Sequence, residues 1–349
     1  MVWVRGKAIG LAACGVLLPA AGVAAGSQDS MLARPAGIDG VAVVSAHDAW
    51  AVGFAGGFRP PRARTVIEHW NGAVWRRVAS PPGGSRGRLT GVTALSARDA
   101  WAVGWARGAA LILHWNGVRW RRMRPAGLPA GTELNAVAAS SARAVWAVGF
   151  AGRRALIARW DGAAWRRVVV PAGARGLELT GVAAVTGQDA WAVASLPGGT
   201  ILHWDGTAWT TTPSPSVEML NGIAAASATA AWAVGVTGVN AAIPVILHWD
   251  GTKWSRQRVR HWHGGAILWG VAATSGRTAW AVGVHGIGKV LILAWNGTDW
   301  RQVPAPPGAS GSLQGVAVTS AHNAWAVGAT PNYAPEIMHW NGTTWTLSR

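Results

Sequence analysis

Residues 179–209 read LTGVAAVTGQDAWAVASLPGGTILHWDGTAW, and copies of this stretch open at Ile38, Leu89, Leu134, Leu179, Leu220, Leu268 and Leu313. A first tryptophan, in the Ala-Trp-Ala-Val run, recurs as Trp50, Trp101, Trp146, Trp191, Trp232, Trp280 and Trp325. A second precedes Asn-Gly or Asp-Gly, as Trp70, Trp115, Trp160, Trp204, Trp249, Trp295 and Trp340. A third follows five residues later in each copy, from Trp75 to Trp345. These three positions account for 21 of the 25 tryptophans in the 349-residue chain. The period is about 45 residues.

Each copy divides into four short β segments. The first is built from small and β-branched residues, as in 134–140; the second is Ala-Trp-Ala-Val; the third is Ile-Leu-His-Trp; the fourth starts at the last tryptophan. Asn-Gly or Asp-Gly between the third and fourth is a hairpin signal, because a two-residue type I′ turn needs positive φ at both central residues. Such a loop would set Trp115 opposite Val118 and Leu113 opposite Trp120. Both tryptophans then share a face with Leu113, while Ile112 and His114 point to the other. Apolar residues on both faces mean a sheet buried on both sides. Four strands per repeat, two buried faces and seven copies predict an all-β fold, a seven-bladed β-propeller over residues 38–349 with four antiparallel strands per blade. Small inner-strand residues suit the narrow axis of such a ring, and bulky tryptophans suit its wider periphery.

The amino terminus reads as an address. Arg5 and Lys7 precede an apolar, small-residue stretch from Ala8 to Ala25, and Val23-Ala24-Ala25 suits signal peptidase. Residues 1–25 are therefore expected to be a signal peptide, with 26–37 a linker and the chain exported. Two other readings of the same segment stand: a lipoprotein acylated at Cys14, and an uncleaved anchor. No later window is apolar enough to span a membrane. Cleavage after Ala25 would remove the sole cysteine, and with it disulfide and thiolate chemistry.

With Asp189-Ala190-Trp191-Ala192-Val193 and Thr200-Ile201-Leu202-His203-Trp204-Asp205-Gly206-Thr207-Ala208-Trp209 in view, the repeats resemble those of BNR-type propellers. They are most similar to the branch that includes photosystem II assembly-factor-like proteins, and to the tandem AWAVG…HWNGTxW repeats of secreted proteins from high-GC actinobacteria. The resemblance covers residues 38–349 and implies the propeller fold. For function it implies little, because that grouping spans enzymes, assembly factors and uncharacterised proteins. The sialidase Ser-x-Asp-x-Gly-x-x-Trp box is matched only in its Gly-x-x-Trp half. Tyr333 lacks the acidic partner and arginine context that family's catalysis requires. The cross-linked cysteine and tyrosine of kelch-type radical oxidases have no counterpart after Ala25.

Few residues remain for catalysis. Six of the 14 acids are repeat-turn residues, and Glu133, Glu178 and Glu218, just before inner strands, are the acids placed to ring a tunnel mouth. His69, His114, His203, His248 and His339 share one repeat position, so they sit in different blades and do not converge on an ion; no metal, cofactor or catalytic residue is assigned. The off-pattern residues are His261, Trp262, His263, Trp269 and His285, which cluster around the connection into the sixth blade and are the candidate ligand pocket. At the slot of Trp269 the other copies carry Asp39, Thr90, Asn135, Thr180, Asn221 and Gln314, read as a polar ring near the tunnel mouth.

Formal charge is +17, and arginine recurs on or after the fourth strand. Arg76, Arg77, Arg121, Arg122, Arg166 and Arg167 are the candidate contacts to an anionic surface. Such cations also protect sheet edges from pairing. The expected function is a monomeric, exported binding module for a glycan, an anionic cell-envelope polymer or a protein, with export disfavouring nucleic acid. The alternatives are a glycosidase-like enzyme at the tunnel mouth and a structural interaction scaffold.

Overall fold

A computed structural model describes residues 36–57, 63–125, 127–195, 198–238, 242–260, 262 and 264–348. The expected leader at 1–25, Cys14 and linker residues 26–35 lie outside them. The described residues form seven four-stranded antiparallel sheets, each made from four strands consecutive in the chain. Blade 1 comprises Ala36–Ser45, Asp48–Ala55, Arg64–Trp70 and Trp75–Arg77, and the other six repeat the order. This is the seven-bladed propeller expected from the repeats.

The tryptophans are the wedges between blades. Trp50 of blade 1 lies 4.9 Å from Trp115 and 5.0 Å, edge-on, from Trp120 of blade 2, measured between ring centroids. The same trio recurs at each later interface, and Trp325 of blade 7 closes the ring on Trp70 and Trp75 of blade 1, 5.0 Å from each. Edge-to-face pairing sets the positive rim of one ring against the negative face of another, which adds to the burial of large apolar surface.

At the axis, the inner strands approach backbone to backbone. A Cβ on Gly40 would lie 3.1 Å from the Cα of Gly91, and one on Gly315 would lie 3.2 Å from the carbonyl oxygen of Asp39. The glycines of the Leu-x-Gly motif are there because a side chain would force neighbouring blades apart. Closure rests on this packing and on a hydrogen bond from Ala36 N to Tyr333 O, 2.9 Å. No blade shares a strand with its neighbour among the described residues.

The hairpin register differs from the expectation. Trp115 pairs with Trp120, and Leu113 with Arg122, so the loop has four residues. The cause is the side chain of Asn116, whose Oδ1 accepts from the backbone N–H of Val118 (3.2 Å) and of Arg119 (3.0 Å). That cap favours a longer turn, with only Gly117 at positive φ (88°). The shift moves the pairing by two residues, an even number, so every side chain keeps the face assigned to it from sequence.

Candidate functional site

Most polar repeat residues are already committed to the scaffold. His69, His114 and His203 place Nε2 2.9–3.0 Å from Asp48, Asp99 and Asp189 of their own blades, and each ring lies 4.0–4.3 Å from the inner tryptophan. Blade 7 uses Asn323 in place of the aspartate, 2.9 Å from His339. In blade 3 the slot holds Arg159, whose guanidinium lies over Trp146 and donates to Gly187 O of blade 4 (3.0 Å). These are packing elements, as their spread over separate blades implied.

Blade 5 breaks the pattern. Ala230 stands where the aspartate would be, and the buried Nε2 of His248 has no partner among the described residues. Burial, opposed by Asp250, holds its pKa below the usual histidine value, and burial lowers His339 likewise. The unfolded chain binds its proton near 6.5, while folded His248 binds it only at lower pH. Stability is therefore complete above about pH 6.5 and falls as pH drops through the window below it. Ala230→Asp supplies the missing carboxylate. Its thermal midpoint, followed by calorimetry from about pH 7.5 to 5.5, should fall less than the parent's; parallel curves would show that His248 is not the source.

The slot read as a tunnel-mouth ring has another job in most blades. Each of its residues is the extra residue of a β-bulge, as between Leu89 and Gly91, and a bulge re-aims its side chain. Thr90, Asn135, Thr180 and Asn221 donate to Leu134 O, Leu179 O, Leu220 O and Leu268 O of the next blade, at 2.7–2.8 Å. Between blades 1 and 2 the latch is a buried ion pair instead. Arg88 donates from Nε and Nη2 to the two carboxylate oxygens of Asp39, each at 2.7 Å, with its guanidinium 4.4 Å from the ring of Phe54. Gln314 turns back to Ser312, at 3.0 Å. Trp269 occupies the blade 6 position, only 7% exposed, and its buried indole N–H has no partner among the described residues.

Of the other residues in the sequence-defined pocket, His261 and His263 lie outside the described residues. Trp262 and His285 are brought together, edge-on with centroids 5.5 Å apart. The Trp262 indole donates to Gly264 O (2.9 Å). Burial, assisted by Lys289, lowers the pKa of His285.

The outer-edge arginines divide into engaged and free. Arg77 donates to Thr65 O (3.2 Å) and Glu68 (3.4 Å), Arg122 to Gly83 O (2.9 Å), and Arg166 to Asp161 (3.0 Å). Arg76, Arg121 and Arg167 have no side-chain partner among the described residues. Arg167 opens onto a cleft of about 810 Å³ on blade 3, lined also by Arg153, Arg154 and Arg175 and by Val168, Val169 and Val170. Sequence reading missed the last three arginines. Their signal was the Arg153-Arg154 doublet in the tight turn after Gly152, together with an arginine after the fourth strand of the same copy.

No family model matches the chain, and no curated protein matches it. Among solved structures, it is similar to YCF48 bound to D1 peptide, with a TM-score of 0.63 and 16% identity over 89% of this chain and 94% of that one. YCF48 from Cyanidioschyzon merolae gives a TM-score of 0.61 and 16% identity, covering 88% and 96%. The BP39L lectin from Burkholderia pseudomallei gives 0.61 and 16%, covering 88% and 98%. At these identities the likeness is one of fold. It agrees with the propeller that the repeat resemblance implies, and carries no ligand across.

Proposed function

We propose that this chain is an exported, non-enzymatic binding module for anionic glycans or anionic polymers of the cell envelope. One observation carries the reading: the repeated histidines, aspartates and bulge residues are largely consumed by the scaffold, whereas several arginines on the strand edges and loops have no partner among the described residues. The formal charge of +17 supports it, since long-range attraction of a polyanion needs a net excess of cations rather than a particular pocket. The BP39L lectin shares the fold alone, so a sugar polymer enters here as the chemistry to test first.

The test is retention of the full chain on an immobilised acidic polysaccharide across a salt series. Raising ionic strength from about 0.1 M to about 1 M shortens the Debye length from roughly 10 to 3 Å. Apparent affinity is expected to fall by about tenfold or more over that range. Retention that does not respond to salt, or that is equal on a neutral polysaccharide, would overturn the electrostatic reading.

A further inference from the structure

The blade 3 cleft carries an inference that rests on the binding-module reading and makes it specific. Three segments within residues 152–176 build the cleft. Gly152, at φ 64°, turns the chain between the second strand (Ala144–Ala151) and the third (Arg154–Trp160), presenting Arg153 and Arg154 at the rim. The fourth strand, Trp165–Val168, pairs Arg167 with Ala158, then continues into Val169 and Val170. Beyond Pro171, a single 3-10 turn at Ala172–Ala174 is anchored by buried Ala174. Arg175 O then accepts from Ala155 N at 3.0 Å, which ties the returning chain against the start of the third strand. That bond holds Arg175 beside the arginines of the turn.

The result is a concave site with four guanidinium groups and no acid in its lining. None of the four side chains has a hydrogen-bond or ion-pair partner among the described residues, although Asp161 of the same blade pairs with neighbouring Arg166. All four arginines are exposed, and gathering like charges around one concave rim is unfavourable unless an anion neutralises them. Guanidinium is also the cation whose flat fork matches carboxylate and sulfate oxygens in pairs. An apolar strip lies beside the charges: Val169 is 79% exposed, while Val170 is 7% exposed and forms the base. The volume of about 810 Å³ falls within the size range of small-ligand sites.

We infer that this cleft binds a short segment of an acidic polysaccharide, with Arg153, Arg154, Arg167 and Arg175 holding its carboxylate or sulfate groups and Val168 and Val169 lying against the C–H faces of its sugar rings. Both halves of the site are needed for that choice. A bare inorganic anion would use the arginines alone, and a neutral sugar would leave them unneutralised.

Two double variants test it, Arg153→Gln with Arg154→Gln and Arg167→Gln with Arg175→Gln. The control, Arg143→Gln with Arg277→Gln, removes the same charge from exposed turns between the first two strands of blades 3 and 6. Binding of the full chain to heparin and to polygalacturonate is measured by calorimetry, with dextran as the neutral comparison. Each cleft variant is expected to lose about tenfold or more in affinity, and the control less than about threefold. Polygalacturonate separates a carboxylate ligand from one that requires the sulfate groups of heparin; binding of either through the cleft supports the inference. Equal losses in cleft and control variants would overturn the site while leaving the binding-module reading intact. Polyglutamate that competes at the cleft with equal strength would overturn the sugar assignment in favour of an acidic peptide. A parent chain that binds neither acidic polysaccharide would overturn the broader reading as well.

Discussion

Trp232→Ala should destabilise the propeller by about 3–5 kcal/mol, the usual cost of truncating a large buried aromatic. Trp232 is fully buried, stacks on His248 with centroids 3.9 Å apart, and inserts between Trp295 and Trp300 of blade 6 at 4.9 and 5.3 Å. Removing it empties the centre of an interface rather than the edge of one. Neighbouring side chains are also poorly placed to refill the space, since they belong to two sheets held apart by their own hydrogen bonds. The loss is read from urea unfolding followed by far-ultraviolet circular dichroism, which avoids the fluorescence of 25 tryptophans. Val118→Ser, at a hairpin tip where the side chain is 81% exposed, should move stability by no more than about 0.5 kcal/mol. A Trp232→Ala loss below about 1 kcal/mol would mean that the interfaces are not held by their tryptophans.

Asp39→Ala should cost a comparable amount, about 3–5 kcal/mol, for a different reason. The Arg88 side chain is 9% exposed and that of Asp39 3%, so removing the carboxylate leaves a guanidinium in the blade 1–blade 2 interface without its counter-charge. The attraction lost is not the whole cost; the desolvated cation left behind dominates it. It follows that removing both charges should be far milder. Asp39→Asn with Arg88→Ile puts at these positions the residue types of the blade 5–blade 6 interface, where Asn221 latches to Leu268 O and Ile267 stands immediately before that leucine. The double variant is expected to recover most of the stability, as buried ion pairs replaced by matched neutral groups commonly do. A single variant near parental stability, or a double variant as damaged as the single, would refute this account of the latch. Both measurements use the same denaturation assay, so the Trp232 and Asp39 effects can be compared directly.

These two sites differ in how visible they are in the sequence. Trp232 is legible because it recurs: its period, its Ala-Trp-Ala-Val context and the breadth of a propeller gap at that radius all place it between blades. Asp39 is legible only as a polar residue in a variable slot. Its role depends on the bulge, which turns one side chain out of the strand's alternation toward the adjacent blade. Nothing in the spacing says which partner waits there. The tunnel-mouth reading of that slot followed from position alone. Trp269 occupies the same slot and is buried, whereas Trp262 and His285 lie together as their loops imply.

The sequence alone determined the number of blades, the four strands in each, the two-faced burial of every sheet and the structural role of 21 tryptophans. It could do so because those features are periodic and short-range, and each repeat states them again. Tertiary structure alone decided the hairpin register, the latches between blades and the blade 3 cleft. An Asx cap settles the first by adding two residues to a loop. The second depends on where a bulge aims a side chain, and the third on a turn, a strand end and a returning connection that meet only once blade 3 has folded. Contacts between non-repeating segments have no period to betray them, which is why four arginines at 153, 154, 167 and 175 become one site only in the folded chain.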